Sequence, residues 1–288
     1  MTSRKRFDPR NTAICLLMVL VAPPLGQASE RIERIFPVSK GPSLMLTNYS
    51  GSIVVKSWQN PEIKAVCTKY SQNVEVDCES IGNKIRLTTH VLDKLASAEK
   101  AKVDYQIFTP EESNLEIRTN LGSVLIEKIK GEVRIDVMAA PVKVSEIAGY
   151  LDARSLNSRV EILESQGIIR STTVSGDILF RRLNSNNVTA QSTLGNISYE
   201  GDFRSGGKYN FSTNEGVISV LCSDQASVEW EARTVKGGIE TNLPIKSKSH
   251  YPVSRGYFGK QSLLGTSNSG DATVQLSTFS GRIRIIRK

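Results

Sequence analysis

Small residues recur at 122, 140, 158 and 176, each 18 positions after the last. The strings around them match: Leu115 to Ile126 with Gly122, Val133 to Val144 with Ala140, Leu151 to Ile162 with Ser158, and Ile169 to Phe180 with Gly176. Looser copies stand at Gly51, Gly195, Gly216, Gly238 and Gly281. Each copy alternates apolar and polar residues, bends through Ser, Thr or Asn, passes the small residue and alternates again. Period-two alternation marks half-buried strands. A small bend residue permits positive φ or close approach to a neighbouring coil. Second bends are expected at Gly131, Gly149, Gly167, Asn184 and Gly201. Two strands and two bends per 18–22 residues make one coil that cannot bury its apolar face alone, so coils must stack. The expected fold is an all-β, single β-solenoid.

The first 28 residues read as a cleavable signal peptide rather than as part of that fold. Arg4, Lys5, Arg6 and Arg10 precede an apolar run of ten residues, Ala13 to Ala22, and Gly26 and Ala28 offer small residues for cleavage. Ten residues make about 15 Å of helix, half of a bilayer core. An uncleaved anchor is the alternative. Cys15 has no small-residue lipobox before it, which argues against a lipoprotein. No later segment is long and apolar enough to span a membrane. Loss of four basic residues and Asp8 from 37 Lys and Arg and 29 Asp and Glu leaves 33 against 28. The surplus is small and interspersed, which argues against nucleic-acid binding. Weak attraction to an anionic envelope surface is compatible with it.

Residues 29–110 form an atypical N-terminal β portion, and residues 111–288 the repeat solenoid, expected to be one continuous domain. Lys64 to Lys69 and Val74 to Glu79 read as hairpin arms around Ser71-Gln72-Asn73, with Cys67 and Cys78 close to opposite each other. In an oxidising compartment they are a candidate disulfide. Cys222, beside an apolar strand, is expected to be a buried small side chain. Residues 92–102 carry helix formers and suggest a surface excursion or a short helix. Residues 245–272 read as a long loop. Tyr257 and Phe258 within it are the candidate contact patch, because a loop must bury such a pair or present it.

No catalytic, cofactor-binding or metal-ligating set is visible. His90 and His250 are isolated, and the cysteine spacings fit no zinc pattern. In-phase positions set Asp136 beside Arg154 and Lys143 beside Glu161, the acid–base couples of an ordinary solvated sheet. Trp58, Tyr70, Tyr105, Trp230 and Tyr251 could offer a sugar-stacking surface, against core packing or capping as the plainer role.

The pattern resembles the bacterial putative-adhesin family of β-strand-repeat domains. The residues that carry the resemblance are Val103 to Pro110, Asn114 to Val124, the Gly176 and Gly195 units and the closing Leu276 to Ile285, covering roughly residues 44 to 288. Ala140 and Ser158 depart from the family's corner glycines but stay small. The resemblance implies a β-helix-like solenoid at the cell envelope without shared catalytic residues. The expected function is an exported, non-catalytic, adhesin-like binding module in the periplasm or at the cell surface. Its partner would be an envelope protein, a glycan or further copies of itself. An envelope-stress sensor and a β-helix carbohydrate-active enzyme are the alternatives.

Overall fold

The computed structural model describes residues 29–93, 95–247 and 261–288. The signal-peptide segment, His250, Tyr251, Tyr257 and Phe258 lie outside the described residues. The chain opens with β1 (Glu30–Pro37), β2 (Ser43–Asn48), β3 (Ser52–Trp58), β4 (Glu62–Lys69), β5 (Val74–Ile81), β6 (Lys84–Val91) and β7 (Val103–Pro110). Regular coils follow in pairs: β8 (Asn114–Leu121) with β9 (Ser123–Glu127), β10 (Lys130–Ala139) with β11 (Val142–Ser145), and β12 (Ala148–Ser155) with β13 (Val160–Leu163). Next come β14 (Gln166–Thr173) with β15 (Ile178–Arg181), β16 (Asn187–Ser192) with β17 (Ile197–Glu200), and β18 (Lys208–Glu215) with β19 (Ile218–Cys222). The last elements are β20 (Val228–Lys236), β21 (Ile239–Thr241), β22 (Lys246–Ser247), β23 (Ser262–Ser267), β24 (Ala272–Ser280) and β25 (Ile283–Arg287). They form a twelve-stranded sheet facing a thirteen-stranded sheet, and each coil gives a strand to both. The described residues are all-β, and most pairings are parallel.

The alternation in sequence becomes columns of side chains along the solenoid. In the thirteen-stranded sheet Leu46, Ile117, Ile135, Ala153, Ser171, Ala190, Phe211 and Leu276 follow one another in register. In the twelve-stranded sheet Val55, Ile126, Val144, Ile162, Phe180, Tyr199, Val220 and Ile285 do the same. All of these side chains are buried. The small residues Ser171 and Ala190 occur in the coils where the other sheet carries Phe180 and Tyr199, so the core keeps a constant thickness. Burying each Ile, Val, Leu or Phe contributes about 1.5–3 kcal/mol, which no coil accumulates alone.

The corners explain the small residues. A Cβ on Gly122, whose φ is +111°, would lie 1.9 Å from the Gly51 carbonyl oxygen. On Gly176 it would lie 2.1 Å from the Ser158 carbonyl oxygen. The hydroxyls before the corner donate to corner carbonyls: Thr173 to Gly176 at 2.7 Å, Thr213 to Gly195 at 2.9 Å and Thr234 to Gly281 at 3.1 Å. The second bend falls earlier than the glycine pattern predicts. Lys128, Glu146, Glu164 and Arg182 take φ of 60°, 55°, 48° and 49° there. Gly131, Gly149 and Gly167 lie at the starts of the following strands.

Three expectations need correction. Lys64–Lys69 and Val74–Glu79 are not arms of one hairpin. The strand β4 is held on both edges, by β1 and β7, so no edge is free for β5. The chain crosses instead to the other sheet, where β5 and β6 form the hairpin around Gly82 and β5 is a charged edge strand. Among the described residues of 92–102 there is no helix, and the stretch is the surface excursion. That stretch makes turns anchored by Ala96 N–H to Asp93 C=O at 3.0 Å, while Ala101 is pinned in the core and Lys102 bridges to Ser50. So few residues form a marginal helix without packing. The expected loop at 245–272 contains β22 and β23. The latter pairs antiparallel with β20 and tucks Leu263 and Ser267 inward, and Gly265 lets Ile245 approach.

At both ends the order of coils in space departs from their order in sequence. The β2–β3 coil lies between the β6–β7 strands and the β8–β9 coil. At the other end β24 and β25 slot between β18–β19 and β20–β21, so the last coil made is the penultimate coil in space.

Candidate interaction ridge

The titratable residues singled out in the sequence are scattered. His90 Nε2 stands 3.0 Å from the Asp77 carboxylate on the exposed face of the β5–β6 hairpin. The in-phase couples fall where the repeat places them: Asp136 opposite Arg154 and Lys143 opposite Glu161. On the strand faces each acid is followed in register by a base or a neutral residue, as in Glu116, Arg134, Asp152, Arg170. In the bends Glu146 and Glu164 are one coil apart, and Glu164 is tied to Arg182. Among the described residues no group of three or more His, Cys, Asp or Glu could hold a metal ion. Asp104 is a constrained carboxylate. Burial pushes its pKa up, but the Ser52 N–H at 2.6 Å, the Tyr70 hydroxyl at 2.8 Å and the Lys102 charge outweigh this and hold it below the ordinary Asp range. Its place is structural, fixing the start of β3 beside the Gly51 corner.

Cys67 and Cys78 stand as thiols on strands of opposite sheets. Burial pushes the Cys67 thiol up to about 12, and the nearby Cys78 thiol adds to the shift. Cys222 is buried as expected, and burial raises it to about 12 as well. Most aromatic residues serve packing. Trp58 stacks on Phe108 at 5.5 Å, and Trp230 is fully buried with its indole N–H donating to Ser267 Oγ at 2.9 Å. Tyr199, Phe203, Tyr209 and Trp230 form one interior aromatic cluster.

A shallow concavity of about 480 Å³ lies on the twelve-stranded sheet, lined by Arg159, Asp177, Arg181, Asn196, Ser198 and Arg284 among others. Most of its charges answer neighbours. Arg181 reaches Glu161 and Glu200, and Arg284 reaches Glu240.

The stronger feature is a line of exposed apolar side chains. Alternation buries the residue two or three places before each corner and turns the next one outward. At that outward place successive coils carry Tyr49, Asn120, Met138, Leu156, Val174, Thr193, Asn214, Phe279 and Val235 in spatial order. In the Thr193 coil the apolar residue is one position on, at Leu194. Tyr49, Met138, Leu156, Val174, Leu194, Phe279 and Val235 are all exposed, from 36% for Tyr49 to 57% for Val235. At 4.7–4.9 Å between strands the line runs roughly 40 Å along one corner of the solenoid. At about 150–200 Å² per full side chain it presents on the order of 500 Å² of apolar surface, the size at which patches on monomers are often functional. Lys236 Nζ lies 5.3 Å from the Phe279 ring centre and adds a cation beside the ridge. The sequence held a signal for it: Met138, Leu156 and Val174 stand 18 apart at a place where alternation directs them to solvent.

The family model described as Toastrack DUF4097 matches residues 43–286. The chain belongs to that family. A solved structure from Bacteroides fragilis, named a putative adhesin, is similar with a TM-score of 0.50 at 11% identity, over 91% of this chain and 99% of that one. Another from Clostridium sporogenes, named a putative cell adhesion protein, has 14% identity and a TM-score of 0.34, over 91% and 100% of the two chains. A third, a putative adhesin from Parabacteroides merdae, has 9% identity and a TM-score of 0.38, over 90% and 96%. The comparison with curated proteins gave no match. At these identities the likeness concerns the fold.

Proposed function

We propose that this member of the Toastrack DUF4097 family is an exported, non-catalytic binding module of the bacterial envelope that binds through its apolar ridge. The observation that carries the reading is the ridge itself: seven large apolar side chains turned to solvent along one corner. Scattered exposed apolar residues are ordinary, but seven gathered along one corner, interrupted by Asn120 and Asn214, cost solubility and suggest a partner. The basic and apolar pattern of residues 1–28 supports export, and the structure neighbours named as adhesins support a binding role.

Two measurements test this. Expressed in a bacterium with its own N-terminus, the protein should appear in the periplasm or medium with the mass of residues 29–288; an intact cytoplasmic chain defeats the export reading. The mature protein should bind an envelope fraction saturably, and the Leu156→Lys/Val174→Lys pair should abolish binding. Replacing Arg170 and Arg134, on the flat face away from the ridge, should not. Equal loss in both variants would put the contact elsewhere.

A further inference from the structure

A smaller concavity of about 310 Å³ opens on the outward face of the twelve-stranded sheet, beside the Gly51 corner. It lies across β1, β4, β7 and β3, which are neighbours in that order. Two outward rows cross these strands in register. One reads Arg31, Thr68, Asp104, Ser52, and the next reads Glu33, Val66, Gln106, Val54. Three strand spacings make each row roughly 14 Å long. The two valines form an apolar floor. Val66 points away from the core, between the inward Ala65 and Cys67, yet is only 6% exposed. Tyr70 closes one side of the concavity.

The polar groups around this floor are held in place but not used up. Besides fixing the start of β3, the Asp104 carboxylate is oriented on both oxygens. Oδ1 accepts the Ser52 N–H at 2.6 Å, and Oδ2 accepts the Tyr70 hydroxyl at 2.8 Å. Lys102 Nζ stands 3.8 Å from the same carboxylate and 4.6 Å from the centre of the Tyr70 ring, which keeps the phenol in position. A carboxylate has about four acceptor sites, so Asp104 retains free ones, and 24% of its side chain is exposed. Among the described residues the Thr68 hydroxyl and the Gln106 amide have no protein partner. Arg31 reaches only Glu33, at 4.0 Å.

We infer that this concavity is a binding site for a neutral saccharide. Its volume falls within the range of about 300–1,000 Å³ of small-molecule sites, and a few convergent polar groups over an apolar floor are their usual lining. The charges at the site balance, with Arg31 and Lys102 against Glu33 and Asp104, so it offers no net field to an anion or a cation. The ligand must instead carry adjacent groups that both donate and accept, around an apolar face. Sugar hydroxyls and the C–H face of the ring meet both demands. Asp104 and Gln106 are two places apart on β7, roughly 7 Å, and so can reach hydroxyls on opposite edges of one ring. Thr68 and Arg31 extend the same side toward a second ring. A peptide strand would need a free backbone edge, and β4, β7 and β3 are each paired on both sides. The site is separate from the ridge, and its assignment does not depend on the ridge binding anything.

The test is calorimetric titration of the mature chain with chitotriose, maltotriose and trigalacturonate. At least one of the two neutral trisaccharides should bind saturably with a Kd of about 0.1–1 mM, as a few hydrogen bonds on an open surface allow. Gln106→Ala and Thr68→Val should each weaken that binding about 3- to 10-fold. Neither side chain has a protein partner to lose, so the melting curves should not move. Ser198→Ala, in the other concavity of the same sheet, should leave the affinity unchanged. Failure of both neutral trisaccharides to bind at about 10 mM would overturn the proposal. Full affinity in the Gln106→Ala/Thr68→Val pair would remove the site, and tighter binding of trigalacturonate than of either neutral sugar would remove the ligand class.

Discussion

Corner glycines can be tested for the reason they are glycines. Two causes are separable in this molecule. At Gly176 no unusual φ is involved, but a Cβ would sit 2.1 Å from the Ser158 carbonyl oxygen and 2.6 Å from its carbon. At Gly41 φ is +66° and nothing lies within 4 Å of the added Cβ. At Gly122 both apply, with φ +111° and the Gly51 oxygen at 1.9 Å. The obstacle at the two corners is backbone, locked in its own ladder, so it cannot swing aside as a side chain would. Gly176→Ala should therefore cost about 1–3 kcal/mol through overpacking. Gly41→Ala should cost about 1–2 kcal/mol through the left-handed backbone alone. Gly122→Ala should cost roughly the sum, about 2–5 kcal/mol, a large share of the 5–15 kcal/mol of a typical fold. With a urea slope of about 3 kcal/mol per molar, the midpoint of Gly122→Ala should fall by about 0.7 M or more. The order Gly122 worst, then Gly176, with Gly41 mildest, is the critical outcome. A loss at Gly176 below about 0.5 kcal/mol would show that the corner carbonyl can yield, and close approach would no longer account for the repeat. Ala140 and Ser158 give that outcome a precedent to overcome, since two natural corners carry a Cβ.

Ser171 is fully buried with its hydroxyl unpartnered, between Ala153 and Ala190 in register, so Ser171→Ala should stabilise the protein by about 1 kcal/mol in urea titration; destabilisation would mean the hydroxyl has a partner. The carboxyl of Asp104 has its pKa lowered in the fold, so its contribution is present above the ordinary Asp range near pH 4 and lost as the pH falls through the folded value. The stability gap between wild type and Asp104→Asn should accordingly close below about pH 4, and a gap that widens in acid would contradict the assignment. Iodoacetamide at about pH 8 should leave Cys67 and Cys222 unmodified until urea is added, and labelling of either at the rate of a free thiol would refute their burial. Removal of residues 272–288 takes away the parallel partner of β20, so limited proteolysis should cut within 208–247 while 43–200 stays protected; uniform protection would mean that β20 pairs without it.

The regular coils were legible because an 18-residue period is itself a register. Once Gly122 and Gly176 are corners, Asp136 must fall beside Arg154 and Lys143 beside Glu161, and they do. The ends were not legible for a related reason. Ser71-Gln72-Asn73 is a good local turn signal, but whether β5 folds back on β4 depends on β1 and β7 having taken both edges of β4, which lie far away in sequence. Likewise Leu92 and Leu95 suggested a helical face, while the placement of that stretch is decided by Ala101 and by the bridge from Lys102 to Ser50. The ridge was legible in principle. Met138, Leu156 and Val174 read as ordinary bend residues until their common outward direction is known, and only the alternation of Val137, Ser155 and Thr173 inward supplies it.

The inserted coils at both ends have a consequence for how such a chain can change length. A solenoid whose sequence order and spatial order agree can gain a repeat at either terminus. Here a copy appended after Arg287 would begin in the interior of the stack, beside coils already paired on both sides. The stretch from Asn114 to Cys222, where both orders run together, is where a tandem duplication can be absorbed. Each added coil there would move the two ends apart by one strand spacing and leave their closures intact. A variant of this chain can thus differ in length by whole coils in the middle while its first and last segments stay tied to the same neighbours.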